Sequence, residues 1–116
     1  MIYIQRVYEN DPALKGKRFL VDRVWPRGLK KDEIDAVWTK DAGPSHATRK
    51  RFHDRGNREE FKQSYFKELD ADFTPWSAII DSARQGDIVL LYGSRDIRQN
   101  NALALKEYLD NKLAQE

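Results

Sequence analysis

The sequence predicts a single α/β domain in which a small sheet of about four strands, mixed or parallel, is flanked by helices. The predicted order of elements is β-β-β-α-α-α-β-α, and its helix-strand-helix ending favours an α/β sandwich over a helical bundle. The stretch DIVLLYG (87–93) is apolar at consecutive positions, as expected of a strand covered on both faces. A length of 116 residues fits one domain, spanning 1–116, with one hydrophobic core.

Three strands are predicted in the first half of the chain. Apolar residues alternate loosely with polar ones over residues 1–8, which is typical of a strand. The second strand (18–24) is rich in apolar and β-branched residues, and Pro26 and Gly28 end it. A short third strand (35–40) is broken by the sequence DAGPS. The pattern leaves the directions of these strands open.

Two capped helices are predicted after the third strand. Ser45 can accept a hydrogen bond from a free N–H at a helix start, so it predicts a short helix that runs to about His53. Asn57 predicts the start of the next helix, and Glu60 at the third helical position makes the pair a variant of the capping box. The apolar face of that second helix is formed by Phe61, Tyr65, Phe66 and Leu69.

The remaining two helices are predicted on either side of the 87–93 strand. Thr74 is predicted as the cap of the third helix, with Pro75 at its first position and Gly86 at its end. The last helix is predicted to begin near Asn100. The apolar stripes of these two helices are Trp76, Ile79, Ile80 and Ala83, and then Ala102, Leu105, Leu109 and Leu113.

The composition of the chain argues against a disordered, membrane-spanning or disulfide-linked protein. Hydrophobic residues make up 40% of the chain and charged residues 34%, which is a soluble globular balance. No apolar run approaches the roughly 18 residues of a membrane span, and the first residues lack the features of a signal peptide. The absence of cysteine excludes disulfides, thiolate catalysis and cysteine-ligated metals. These features predict a cytoplasmic protein that does not associate with membranes.

Positive charge is concentrated in two parts of the sequence. The net charge is only +2, which does not by itself imply a nucleic-acid partner. Residues 15–31 nevertheless hold seven basic side chains against Asp22 alone, and a second basic run covers residues 49–58. These runs are either solvated faces or a side of the molecule that attracts anions.

Polar residues follow three of the predicted strands. In open α/β sheets, ligands bind outside the carboxyl ends of the strands, so these residues meet at one edge if the strands run parallel. They are Asp22 and Arg23 at the carboxyl end of the second strand, Lys40 and Asp41 at that of the third, and Tyr92, Gly93, Ser94, Arg95 and Asp96 at that of the last.

The YGSRD segment suits an anionic ligand. Gly93 lets the backbone approach a ligand closely, and the helix that follows offers free N–H groups. The guanidinium of Arg95 can clamp a carboxylate or a phosphate. The alternative is a glycine turn with a surface pair between Arg95 and Asp96.

The first predicted helix places Ser45, Arg49 and His53 on one face, because they are spaced by four. A histidine there can act as a general acid or base. The alternative is that His53 simply interacts with the dipole at the end of its helix. His46 has no partner by spacing and is interpreted as a surface residue.

Motifs for metals, dinucleotides and catalytic triads are missing from the sequence. The two histidines form neither an H-x-x-x-H nor an H-E-x-x-H pattern. Neither a phosphate-loop pattern nor G-x-G-x-x-G is present, and no G-x-S-x-G supports a triad built on Ser45 or Ser94 with His53. No metal and no cofactor is therefore predicted.

The segments DRVWPRG, VWTKDAGPS, TRKRFHD, LLYGSRD and QNNALAL together resemble the DUF488 family of small bacterial and archaeal proteins, and most closely its YeaO-like branch. The similarity covers nearly the whole chain. The positions that match the family motifs are Asp22, Arg23, Trp25, Pro26, Arg27, Gly28, Trp38, Lys40, Pro44, Ser45, Arg49, Phe52, His53, Tyr92, Arg95, Asp96 and Asn100.

The resemblance implies a compact α/β domain of prokaryotic origin, and it carries no agreed activity. The sequence departs from the family where relatives often carry histidines beside the asparagine of the last helix, because Gln99 and Asn101 stand there. A mechanism that requires either histidine is therefore not expected here. Val24 stands where relatives often have Leu, which is only a packing change.

The first functional hypothesis is a pocket for a small phosphorylated or carboxylated ligand, such as a nucleotide, with or without catalysis. Arginine and lysine side chains would bind the anion, and Trp25 or Tyr92 would stack on a ring or form a wall of the pocket. The predicted ligand-binding residues are Asp22, Arg23, Trp25, Arg27, Lys40, Ser45, Arg49, Tyr92, Arg95 and Asn100, and the predicted acid–base residues are His53 and Asp96.

Two alternatives remain open. The basic runs, interleaved with Trp25, Trp38 and Phe52, could instead bind the backbone of a nucleic acid and stack on its bases. The third hypothesis is structural, with Asp22 bridging arginines of the motif or Arg95 and holding the loops together. The pattern leaves the oligomeric state open.

Overall fold

The sheet is fully parallel, and the sequence had left this point open. A computed structural model describes residues 1–9, 11, 13–96 and 100–116. Four strands lie in the order β1-β4-β2-β3, with every pair parallel. Their bounds are β1 (Ile2–Arg6), β2 (Lys17–Leu20), β3 (Val37–Trp38) and β4 (Ile88–Tyr92). The predicted α/β class and element order are confirmed.

The four helices begin where polar caps predicted them, with one exception. Their bounds are α1 (His46–Arg55), α2 (Arg58–Ala71), α3 (Thr74–Gln85) and α4 (Asn101–Ala114), and short 3₁₀ turns cover Lys31–Glu33 and Lys40–Ala42. The side chains of Ser45, Asn57 and Asn100 each accept a backbone N–H in the first turn of the helix that follows. Gly56 ends α1 with a φ of 66°, a left-handed conformation that glycine adopts without strain.

The predicted cap of the third helix is wrong. Thr74 is the first residue of α3, and Phe73 precedes it in the cap position without a side-chain bond to the helix. The free N–H of Thr74 is satisfied by the Asp72 carboxylate at 3.1 Å. Asp72, two positions before Thr74, therefore supplies the acceptor that the sequence pattern assigned to the Thr74 hydroxyl.

The predicted strands were too long at their carboxyl ends. The β2 ladder ends at Leu20, and one further backbone bond from the Val21 N–H to Leu91 O (3.1 Å) follows it. The third strand holds only two residues, so Lys40 already lies in a 3₁₀ turn. Residues 22–24, which the pattern placed within the second strand, belong to the loop at the end of the sheet.

The two faces of the sheet are covered differently. On one face, Ile88, Leu90 and Tyr92 pack in the main core with apolar side chains of the helices. On the other face, Val89 and Leu91 join Leu20 in a smaller cluster, which residues of the connecting loops cover. All five residues of β4 are buried, which confirms that this strand is covered on both faces. Within the described residues, no helix is long and apolar enough to cross a membrane.

Candidate functional site

A cleft of about 1210 Å³ opens at the carboxyl ends of β1, β4 and β2. Its walls include residues 22–27 after β2, residues 93–95 after β4, and Arg6 and Tyr8 at the end of β1. One face of α1 and the start of α4 complete the lining. Because the three strands are parallel and adjacent, the loops that follow them meet at one edge of the sheet.

The cleft concentrates positive charge. Among the described residues, its lining holds six arginine or lysine side chains and two carboxylates, so its formal charge is +4 with the histidines neutral. The whole chain carries +2, so the residues outside the lining are together net negative. The basic side chains are Arg6, Arg23, Arg27, Arg49, Lys50 and Arg95, and the acidic ones are Asp22 and Asp54.

Three of these guanidinium groups have no partner among the residues that the structure describes. The side chains of Arg27, Arg49 and Arg95 are exposed and make no hydrogen bond or ion pair with any described residue. Each belongs to a different segment of the lining, namely the loop after β2, helix α1 and the loop after β4. Their donors therefore face the cleft from different sides and are available to a ligand.

Arg23 differs from these three because the protein already uses its guanidinium. Its Nε donates to Pro44 O (3.0 Å) and its Nη2 donates to Gly43 O (2.9 Å). A longer contact of 3.4 Å joins its Nη1 to the Asp41 carboxylate. Arg23 lines the cleft, but its donors hold the segment before α1 against the loop after β2.

Trp25 both packs in the core and lines the cleft. Its indole N–H donates to Leu29 O (2.6 Å), and its ring meets that of Trp38 edge to face with the centroids 5.1 Å apart. It packs against the smaller core cluster and also lines the cleft. The bond and the ring contact fix its orientation, so its exposed surface is a rigid wall.

Asp22 lies partly buried in the lining and connects the ends of two strands. Its Oδ2 accepts the Gly93 N–H at 2.7 Å. Burial raises the pKa of the Asp22 carboxyl above its usual value of 3.8, and the Gly93 N–H, the Asn101 amide and the charge of Arg49 oppose that rise. Asp22 makes no ion pair with Arg23, Arg27 or any other residue in the described part of the chain.

The cleft-facing side of α1 is polar. His46, Arg49, Lys50 and His53 line the cleft at the spacing of a single helix face. Lys50 pairs with Asp54 at 3.1 Å, whereas Arg49 and both histidines make no described side-chain contact of this kind. The prediction that Arg49 and His53 share a face is consistent with this arrangement, and His46 joins them although it was interpreted as a surface residue.

Ser45 and Asn100 act mainly as helix caps. Ser45 Oγ accepts the Thr48 N–H (3.2 Å) and donates to Glu68 on α2 (2.7 Å), so it points away from the cleft. Asn100 accepts the Leu103 N–H (2.8 Å) and contributes to the cleft lining at the same time. The sequence pattern at Ser45 and Asn100 therefore reflects their role as helix caps.

Lys40, Tyr92 and Asp96 lie outside the lining. Lys40 follows β3, the outermost strand beyond β2, and its ammonium lies 5.7 Å from the Trp38 ring centroid. Tyr92 is buried within the main core. Asp96 is exposed, and its backbone N–H donates to Ser94 Oγ at 3.1 Å.

The sequence pattern missed Arg6 and Tyr8. Arg6 Nε donates to Ser94 O (3.0 Å), and its guanidinium lies 4.7 Å from the Tyr8 ring centroid. The Tyr8 hydroxyl donates to Arg27 O at 2.7 Å, which joins the end of β1 to the DRVWPRG loop. The rule that selected the ends of the other strands would have found both, had the direction of β1 been known.

Near the start of α4, Gln99 and Asn101 stand where relatives often carry histidines. Gln99 lies outside the described residues. Asn101 lines the cleft, and its Nδ2 donates to Val21 O at 2.9 Å. In the part of the chain that the structure describes, no cluster of three or more His, Asp or Glu side chains could hold a metal ion.

Comparison with known proteins gives the family. A family model described as the inactive DUF488-N3 subclade matches residues 1–116. The chain is 36% identical over 110 residues to the uncharacterized protein YeaO of Escherichia coli (strain K12), covering 93% of this chain and 96% of that protein. It is 29% identical over 113 residues to the uncharacterized protein Rv3073c of Mycobacterium tuberculosis, covering 96% and 95%. No solved structure matches significantly. The chain therefore belongs to the DUF488 family.

Proposed function

We propose that this protein binds a small phosphorylated ligand in the cleft at the carboxyl edge of its sheet. The observation that carries the proposal is that three guanidinium groups in the lining of one cleft, those of Arg27, Arg49 and Arg95, have no partner among the described residues. Guanidinium groups bind phosphate through pairs of parallel hydrogen bonds, and they retain their charge at every physiological pH.

The charge distribution supports an anion rather than a neutral ligand. The lining is net positive although the rest of the molecule is net negative, so the field near the surface directs anions to this edge of the sheet. The phosphate dianion carries more charge than a carboxylate and has more acceptor oxygens, so it matches three separate guanidinium groups better.

The size of the cleft fits a ligand as large as a mononucleotide. Ligand pockets commonly measure about 300–1,000 Å³, and this cleft is slightly larger at about 1210 Å³. The fixed ring of Trp25 and the exposed ring of Tyr8 provide apolar surface beside the guanidinium groups. A phosphate with an attached sugar or ring would contact both kinds of surface.

Binding without turnover agrees best with the residues and with the family. Of the two predicted acid–base residues, His53 lines the cleft and Asp96 does not. The matching subclade is described as inactive, which agrees with a cleft that catalyses no reaction. The proposal therefore assigns recognition to the arginines and no reaction to the cleft.

The nucleic-acid alternative has less support from the aromatic residues it names. Trp25 and Trp38 are packed against each other, and Phe52 packs on Phe61 with the ring centroids 4.8 Å apart. Stacking on successive bases needs several open aromatic faces, and the contacts with other rings reduce the surface that each of these three offers.

Calorimetric titration of the full chain tests the proposal, with inorganic phosphate and AMP as probes. We expect wild type to bind both, and Arg49→Ala to weaken binding about tenfold or more, since a charge-assisted bond to phosphate is lost. Arg55→Ala is the matched control, because Arg55 is an exposed arginine of the same helix that lies outside the lining. The control should bind like wild type.

Two outcomes would overturn the proposal. One is the absence of phosphate and AMP binding by wild type, and the other is an equal loss in Arg49→Ala and Arg55→Ala. A single-stranded oligonucleotide that binds more tightly than AMP, with affinity falling steeply as salt rises, would favour the nucleic-acid alternative instead.

A further inference from the structure

One of the two carboxylates in the lining of this net positive cleft has no ionic partner among the described residues. Asp54, the other acidic residue of the lining, pairs with Lys50, whereas Asp22 makes no ion pair with any described residue. The described bonds to Asp22 come from the Gly93 N–H and from the neighbouring Asn101 amide. A carboxylate accepts about four hydrogen bonds, so Asp22 retains acceptor capacity.

A purely structural role does not require a negative charge at this position. The bond from the Gly93 N–H joins β4 to the loop after β2, and the neutral oxygen of an asparagine could also accept it, although a carboxylate makes the stronger bond. Burying an unpaired carboxylate disfavours the charged form, as the direction of its pKa shift indicates. The negative charge therefore has a cost to folding that the bond to Gly93 alone does not explain.

In the presence of a ligand, the same charge acts as a selective element. Asp22 accepts hydrogen bonds and donates none when ionised, whereas the guanidinium groups around the cleft only donate. A bare phosphate would be attracted by the arginines and repelled by Asp22. A phosphate ester with hydroxyl groups would satisfy both, because its phosphate meets the arginines and a hydroxyl donates to Asp22.

We propose that Asp22 determines ligand specificity, and that the cleft selects hydroxyl-bearing phosphate esters of the sugar-phosphate class over inorganic phosphate. This inference rests on the proposed phosphate-binding function and adds the second group of the ligand. The juxtaposition that carries it is an unpaired, partly buried acceptor in the lining that also contains Arg27, Arg49 and Arg95.

The test compares three probes, ribose 5-phosphate, inorganic phosphate and O-phosphoethanolamine, by calorimetry on the full chain and on Asp22→Asn. We expect wild type to bind ribose 5-phosphate about tenfold more tightly than inorganic phosphate, which is the usual value of a hydrogen bond to a charged group. In Asp22→Asn the repulsion disappears, so inorganic phosphate should bind more tightly and the preference should shrink to about twofold or less. A purely structural role for Asp22 would change the affinities for all probes in the same direction.

A second measurement covers the case in which Asp22→Asn does not fold. In wild type, the Gly93 amide reports on the Asp22 carboxylate, so its NMR shift should change more with ribose 5-phosphate than with inorganic phosphate at equal saturation. Equal shifts would contradict the inference.

The outcomes separate the two proposals. If wild type binds none of the three phosphate probes, the phosphate-binding function fails, and this inference fails with it. If wild type binds ribose 5-phosphate and inorganic phosphate equally, and Asp22→Asn changes both equally, the specificity role alone is overturned. A preference for O-phosphoethanolamine over ribose 5-phosphate would show that Asp22 selects an ammonium group, and it would overturn the hydroxyl assignment.

Discussion

Arg23 and Arg27 lie four positions apart in one loop, yet they belong to different functional regions of the cleft. We call Arg23, with Ser45 and the Gly43–Pro44 carbonyls, the anchored side, because its polar groups are satisfied within the protein. We call Arg27, Arg49 and Arg95 the open side, because these side chains have no described partner. The DRVWPRG motif thus contains one arginine that is bonded within the protein, Arg23, and one that remains available to a ligand, Arg27.

The largest effect on stability is expected for Arg23→Ala. Two backbone carbonyls, those of Gly43 and Pro44, would lose charge-assisted donors, and partly exposed bonds of this kind together contribute about 1.5–3 kcal/mol. Urea denaturation measures the free energy of unfolding. Arg23→Lys is the control, because an ammonium reaches one carbonyl and should recover part of the loss. A change below about 0.5 kcal/mol in Arg23→Ala would show that Arg23 does not belong to the anchored side.

Ser45→Ala should give the next largest loss, about 1 kcal/mol, because helix α1 would lose its cap. The same substitution removes a hydrogen bond to Glu68. Phosphate affinity should remain as in wild type, since Ser45 does not line the cleft. Combined denaturation and calorimetry would check both expectations. If Ser45→Ala weakened phosphate binding and left stability unchanged, Ser45 would belong to the open side instead.

Asp22, between the two sides, should give a smaller effect that depends on pH. Its pKa is raised in the folded state, so between the ordinary value of 3.8 and the raised pKa the folded protein binds more protons than the unfolded chain. Stability contributed by this group therefore falls as the pH rises through that window and is constant above it. The free energy of unfolding of wild type minus that of Asp22→Asn, measured from about pH 3.5 to about pH 7, should show this decrease. A difference that rises with pH would contradict the assigned burial effect.

The smallest effect on stability is expected on the open side. Arg27→Ala and Arg95→Ala should each change the free energy of unfolding by less than about 0.5 kcal/mol, because neither side chain makes a described bond or ion pair. Both should weaken phosphate binding all the same. Denaturation of the two variants, with Arg23→Ala as the reference, measures the contrast directly. A loss as large as that of Arg23→Ala would remove the distinction between the two sides.

The elements that depend on local chemistry were predictable from the sequence. Ser45, Asn57 and Asn100 are short polar residues that satisfy free N–H groups of the next helix, and the structure uses all three in this way. The β4 strand was predictable because its apolar run has no polar interruption. The prediction that Thr74 caps α3 was wrong because Asp72, two residues earlier, supplies a competing acceptor.

The parts of the site that depend on non-local arrangement were not predictable. Lys40 follows β3 much as Asp22 follows β2. The strand order places β3 at the outer edge of the sheet, however, and Lys40 does not line the cleft. Arg6 reaches the cleft only because β1 runs parallel to β4, a direction that local patterns do not encode. The different roles of Arg23 and Arg27 depend on carbonyls some 20 residues away in the chain.

The most direct test of the central claim is a crystal structure of the full chain with ribose 5-phosphate. We expect the phosphate within hydrogen-bond distance of at least two of the guanidinium groups of Arg27, Arg49 and Arg95. We also expect Arg23 to keep its bonds to the carbonyls of Gly43 and Pro44. A phosphate bound outside the cleft, or one held by Arg23 after release of those carbonyls, would contradict the claim.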